Sequence, residues 1–253
     1  MKLRILGSSG AELQGHNPPA FLIDEGLLLD AGTIGASLNE AEQWKIRDIL
    51  LTHSHLDHIR GIPFLADNLI LRSKKHSVTI YSIKPVLDTL KKNLLNDAIW
   101  PDFTRIPDVK NPILKIKTLQ TGRAFNLNGY SITAYKVNHS VPAVGYIVTG
   151  QNGKRLLYTG DTGPTEDLWK AAGDINTAII EISFPNSMED LALISKHLTP
   201  GLFMKELQKM RTIPGRILIT HPKPQYFSRI KKEIDALRLK NIEILKDGTT
   251  YAI

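Results

Sequence analysis

Short apolar runs separated by turn residues recur along this chain, and four of them end within two residues of a histidine or an aspartate. Asp48–Thr52 runs straight into His53, Ile132–Val137 precedes His139, Leu156–Thr159 precedes Asp161, and Ile217–Thr220 precedes His221. Runs of this length and composition read as buried strands. Strands that all end on ligand-type side chains bring those side chains to one edge of a sheet. Other runs complete the pattern. Ala20–Asp24 and Leu27–Asp30 read as a hairpin around Glu25-Gly26, and Ser77–Ile83, Leu114–Leu119, Tyr130–Val137, Val144–Thr149, Arg155–Thr159, Ala178–Ile182, Ile242–Leu245 and Thr249–Ile253 read as strands. Helical spacing covers Lys84–Asn96, Thr165–Ala172, a segment opened by Thr199-Pro200 and running to Met210, and Ser228–Leu239. Strand pairs and βα alternation in both halves predict an α/β protein with two packed sheets and helices outside, a four-layer αββα sandwich. Ile99–Pro112, with three prolines, reads as a long loop of the kind that covers sites.

Composition narrows the chemistry. The 253 residues include no cysteine, so thiolate zinc sites, iron–sulfur clusters and cysteine nucleophiles are excluded, and any metal must rest on His, Asp and Glu. The net charge of +7 favours acidic partners without choosing among them. No signal-peptide core fits the first residues and no apolar run spans a bilayer, so a cytoplasmic protein without membrane contact is expected. The basic runs Arg72-Ser73-Lys74-Lys75 and Arg229-Ile230-Lys231-Lys232 lack interleaved aromatics and read as solvated surface.

The densest signal is Thr52-His53-Ser54-His55-Leu56-Asp57-His58. Imidazole nitrogen and carboxylate oxygen suit zinc, manganese and iron. His53 and His55 project to one side of an extended segment, and Asp57 and His58 follow the turn. Asp30, which also ends a strand, reads as a turn residue or, by resemblance to known histidine-rich metal sites, as a carboxylate that fixes a ligand histidine. His16 and His76 read as surface residues.

The histidine motif, with His139, Asp161 and His221, resembles the metallo-β-lactamase superfamily across nearly the whole chain. Thr159-Gly160-Asp161-Thr162-Gly163-Pro164, Glu181-Ile182-Ser183-Phe184-Pro185-Asn186 and Lys196-His197-Leu198-Thr199-Pro200 bring it nearer the class II 3′,5′-cyclic nucleotide phosphodiesterases. The resemblance implies one metallo-β-lactamase-like domain over residues 1–253. It implies two divalent ions, zinc first, with manganese or iron as alternatives. His53, His55 and His139 would hold one ion, Asp57, His58 and His221 the other, and Asp161 would bridge them. Such a pair, ~3.5–4 Å apart, activates a bridging hydroxide for in-line attack on a phosphodiester. The expected reaction is hydrolysis of cyclic AMP or cyclic GMP to the 5′-monophosphate. Asp57 is counted with the catalytic residues. By similarity to the tRNA 3′-processing endonucleases (ribonuclease Z), Glu181 would orient His197 as general acid or phosphate ligand. RNA is the substrate under that alternative, and the resemblance leaves room for a homodimer.

Overall fold

The computed structural model describes residues 1–72 and 76–253, so part of the first basic run, at 73–75, lies outside the described residues. Among the described residues, fourteen strands form two mixed sheets of seven. The first half of the chain supplies β1 (Lys2–Gly7), β2 (Ala20–Ile23), β3 (Leu27–Leu29), β4 (Asp48–Leu50), β5 (Val78–Ser82) and β6 (Leu114–Thr118). The second half supplies β7 (Phe125–Leu127), β8 (Tyr130–Lys136), β9 (Val144–Thr149), β10 (Arg155–Tyr158), β11 (Thr177–Glu181), β12 (Arg216–Thr220) and β13 (Ile242–Ile244). The final strand, β14 (Thr250–Ala252), crosses back and pairs antiparallel with β1 in the first sheet.

In each sheet one part is antiparallel and the other parallel. β3, β4, β5 and β6 are parallel neighbours, as are β10, β11, β12 and β13. Parallel strands covered on both faces must be apolar on both, which is why Leu27-Leu28-Leu29 and Ala178-Ile179-Ile180 are unbroken. Successive residues divide between layers. Leu29, Leu50, Ile179 and Leu218 point between the sheets, whereas Leu28 and Ile49 pack outward on one side and Ile180 and Ile219 on the other. Three separate apolar layers between four layers of secondary structure make the expected αββα sandwich.

The outer helices are α1 (Glu40–Gln43), α2 (Leu56–Ile59), α3 (Gly61–Arg72) and α4 (Lys84–Asn93) on the first sheet, and α5 (Asp167–Ala172), α6 (Glu189–Ser195), α7 (Pro200–Leu207) and α8 (Phe227–Ala236) on the second. Thr199 caps α7 as its spacing predicted, its hydroxyl accepting from the Leu202 amide at 3.2 Å. The sequence pattern alone does not signal β1, β7, α1, α2 or α3. In α3, Gly61 and Pro63 stand in the first turn and lower its helical signal, yet Ile62, Leu65, Ala66 and Leu69 bury against the first sheet. The 99–112 loop is irregular as expected, and Phe103 anchors it in the first outer layer while Trp100 meets Phe64 edge-on at 5.1 Å. His76 is not a surface residue. It is 8% exposed, lies against Trp44 with ring centroids 5.2 Å apart, and donates through Nε2 to the Ile46 carbonyl at 3.0 Å.

Candidate metal centre

The parallel strands place the site. Asp30 follows β3, His53 follows β4, Asp161 follows β10, Glu181 ends β11 and His221 follows β12, all at carboxyl ends. His139 comes from the β8–β9 loop. Crevices at such ends are where open α/β sheets gather polar groups, because the strands stop there and the chain turns. His53 and His55 lie in extended chain before α2, while Asp57 and His58 lie within its first turn. Asp30 and His221 adopt φ of 55° and 66°, a region that non-glycine residues enter when surrounding bonds hold them. The His221 amide is held by the Ser8 carbonyl at 2.6 Å.

All seven metal-ligand candidates meet in one cluster. His53, His55, His139 and Asp161 form one group, and Asp57, His58, Asp161 and His221 form another that shares Asp161. Asp161 Oδ2 lies 3.8 Å from His53 Nε2, 3.3 Å from His58 Nε2 and 3.2 Å from His221 Nε2.

Hydrogen bonds outside the cluster decide which nitrogen of each ring carries a proton. Asp30 Oδ2 accepts from His58 Nδ1 at 2.7 Å, from Tyr158 at 2.7 Å and from the Thr52 hydroxyl at 2.8 Å. Because that hydroxyl spends its proton on Asp30, it accepts from His53 Nδ1 at 3.0 Å. His139 Nδ1 donates to the Lys196 carbonyl at 3.1 Å. Ser183 donates to Glu181 Oε2 at 2.9 Å and accepts from His221 Nδ1 at 2.8 Å. Four rings thus present Nε2 lone pairs inward. His55 turns Nδ1 inward instead, 3.1 Å from both His53 Nε2 and His139 Nε2.

Three ring nitrogens converging at 3.1 Å, two of them already lacking a proton, are a poor hydrogen-bonded arrangement but fit a cation. Nitrogens bound to one tetrahedral zinc stand ~3.3 Å apart. His58 Nε2 is buried and has no hydrogen-bond partner. The donor set of imidazole and carboxylate could hold two divalent ions.

Electrostatics agree with that fit. Burial pushes His139 down to about 4 and lowers His53 and His55, so these rings are neutral, the form that binds metal. Burial also opposes charge on His58, but Asp161 and Asp30 outweigh it and raise that ring. A cation would take the place of that proton. Burial would raise Asp161, yet His221 and His58 hold it well below the usual carboxylate range.

Glu181 and His197 adjoin the cluster. His197 Nδ1 donates to Glu181 Oε1 at 2.8 Å, and its ring stacks on His221 with centroids 5.3 Å apart. Burial opposes the imidazolium, and the Glu181 charge and hydrogen bond more than offset it, so His197 is raised. Sequence reasoning assigns no role to Thr52, Ser183 or Tyr158. Each touches a ligand or its carboxylate partner, and the signal available was adjacency, since Thr52 precedes His53 and Ser183 follows Glu181 by two residues.

A β-lactamase superfamily domain matches residues 27–221. The chain belongs to the metallo-β-lactamase superfamily. It is 26% identical over 207 residues to a probable 3′,5′-cyclic-nucleotide phosphodiesterase from Yersinia pestis, covering 72% of this chain and 58% of that protein. It is equally 26% identical, over 216 residues and 66% of both chains, to ribonuclease Z from Pyrococcus abyssi. Among solved structures, unliganded yeast PDE1 superposes with a TM-score of 0.83 at 19% identity, over 98% of each chain. This chain therefore spans little more than half the length of the Yersinia phosphodiesterase it matches. The superfamily accounts for the hydrolase fold and a His/Asp centre suited to divalent ions. Among the described residues, no helix is long and apolar enough to cross a membrane.

Proposed function

We propose that this superfamily member is a metal-dependent phosphodiesterase acting on 3′,5′-cyclic nucleotides. The observation that supports phosphodiester cleavage is the Glu181–His197 pair against the ligand cluster, at 2.8 Å from carboxylate to ring and 5.3 Å from His197 to His221. The similarity to the Yersinia phosphodiesterase supports a cyclic nucleotide as the substrate, on the fold shared with yeast PDE1. An alkoxide is a poor leaving group and needs a proton as its bond to phosphorus breaks, and an oriented imidazolium supplies one.

His53, His55 and His139 would hold one ion, Asp57, His58 and His221 the second, and Asp161 would serve both. Two divalent ions there would polarise the phosphoryl group and make water nucleophilic at neutral pH. Two aspartates leave the loaded cluster positive, which suits a phosphodiester anion. The Asp57 side chain, 29% exposed, is the more accessible of the two cluster carboxylates and would orient the attacking water. Glu181 holds His197 Nδ1, which leaves Nε2 to protonate the departing 3′-oxygen. The P–O3′ bond breaks, oxygen from water joins phosphorus, and the product is a 5′-monophosphate. One catalytic domain over residues 1–253, acting in the cytoplasm, completes the reading.

The similarity to ribonuclease Z supports a second substrate class, precursor tRNA, for the same centre. Metal-quantified protein offered cyclic AMP, cyclic GMP and a precursor tRNA separates them. Cleavage of a cyclic mononucleotide to its 5′-monophosphate is expected. Cleavage of the tRNA alone would move the substrate to RNA.

A further inference from the structure

Lys196 ends α6 in the left-handed region, with φ 56° and ψ 58°. Its amide donates to the Leu193 carbonyl at 3.3 Å, and the His197 amide donates to the Ala192 carbonyl at 2.8 Å. These two bonds close the helix in a Schellman turn, where glycine is the usual residue because a β-carbon is strained there. A lysine therefore stands where the local chain geometry favours glycine, and two contacts with His139 compensate.

Lys196 holds His139 in two places, across 57 residues of sequence. Its carbonyl, turned out of the helical series, accepts from His139 Nδ1 at 3.1 Å, and its ammonium donates to the His139 carbonyl at 3.1 Å. One bond fixes the ring, and the other fixes the backbone that carries it. A lysine ammonium at a helix end ordinarily serves the last carbonyls of its own helix. Here the Ala192 and Leu193 carbonyls already accept from amides, and the ammonium reaches the β8–β9 loop instead. Asn138 ties the same loop to the segment after Asp161. Its carbonyl accepts from the Gly163 amide at 2.8 Å, and its side-chain amide donates to the Pro164 carbonyl at 3.0 Å. The His139 ring also lies edge-on to His197, with centroids 5.2 Å apart. One left-handed residue thus joins a metal-ligand candidate to the histidine that Glu181 holds.

We propose that Lys196 is a positioning residue for the ion position of His53, His55 and His139, its ammonium holding the His139 backbone so that Nε2 meets the ion. The role rests on the two-ion reading above and is independent of the substrate. Removing a group that fixes a metal ligand lowers metal affinity ~10–100-fold. Loss of the ammonium alone belongs at the lower end of that range, because the Lys196 carbonyl still holds the ring when the side chain changes.

The test is zinc affinity by chelator competition on the full chain, in the wild type, Lys196→Gly, Lys196→Met and Lys196→Arg. Glycine suits the left-handed turn and keeps the carbonyl that holds the ring, so Lys196→Gly is expected to fold and to lose the ammonium alone. The glycine and methionine variants are expected to bind zinc about tenfold more weakly at one of two positions. Lys196→Arg, whose guanidinium can donate to the same carbonyl, is expected to return to within about threefold of the wild type. In a His139→Ala background, Lys196→Gly is expected to change nothing further, because the two residues act as one unit. Wild-type affinity in both the glycine and methionine variants would overturn the role and leave the centre standing. A further loss at the remaining ion in the His139→Ala background would do the same. A wild type that binds no zinc would overturn the centre itself, and the role with it.

Discussion

Asp30 Oδ2 accepts from His58 Nδ1 at 2.7 Å, and this bond leaves the other nitrogen of the ring buried, unpartnered and 3.3 Å from Asp161. A carboxylate outside the cluster thereby fixes the tautomer of a ring inside it. The same carboxylate holds Thr52 and Tyr158, so one residue sets the orientation of His58 directly and of His53 through a hydroxyl.

Replacing that carboxylate tests this directly. In Asp30→Asn the amide must place an NH₂ against at least one donor among Thr52, His58 and Tyr158. Losses of this kind lower metal affinity ~10–100-fold. A chelator-competition titration is expected to show the weaker binding in one of two metal positions. Wild-type affinity at both would mean that Asp30 is only a fold residue.

The role of His197 separates by leaving group. In His197→Gln, cyclic AMP hydrolysis is expected to fall ~10²–10⁴-fold. Hydrolysis of bis(p-nitrophenyl) phosphate should fall far less, since p-nitrophenolate departs without a proton. Glu181→Gln should shift both rates in the same sense. Equal losses on the two substrates would assign the pair to metal positioning instead.

The strands were legible because their burial on both faces writes itself as unbroken apolar runs, as in Leu27-Leu28-Leu29. The cluster was legible because β4, β10 and β12 each end on a ligand type. Less could be read where the partner is distant in sequence. Asp30 was ambiguous between turn and carboxylate partner until its 2.7 Å contact with His58, 28 residues away, was visible. Ser183 lay inside a quoted motif, but its hydroxyl acts by joining Glu181 to His221, 38 residues further on. His76 follows two lysines, which suggested surface, while the structure turns its ring under Trp44.

Gly10 has a steric requirement. A methyl group there would overlap the His221 backbone carbonyl and stand 2.9 Å from Cε1 of its ring. Gly10→Ala is expected to displace His221, lower metal content at neutral pH and reduce turnover at least tenfold, while the far-ultraviolet circular dichroism stays as in the wild type. Full metal content would show that the loop gives way without moving the ligand.

Asp48, at the start of β4, bears on stability alone. Burial holds its carboxyl above the ordinary value of 3.8, against hydrogen bonds from Tyr81 and Asn128. The folded chain therefore binds this proton more tightly than the unfolded one. The group's stabilising contribution is full below the unfolded value and is lost as pH rises through the raised folded value. At pH 7 a buried charge remains, so Asp48→Asn is expected to raise the melting temperature by about 2 °C or more. The advantage should shrink as pH falls toward 4. A lower melting temperature at pH 7 would reverse the sign argued for this group.

The most direct measurement is metal stoichiometry together with cyclic AMP turnover, in the wild type and in Asp161→Asn. The wild type is expected to hold two divalent ions per chain and to release 5′-AMP. The variant is expected to lose at least one ion and ~10²-fold or more in rate, because Asp161 belongs to both ligand groups. Full metal content and full rate in Asp161→Asn would contradict the account of a shared dinuclear centre.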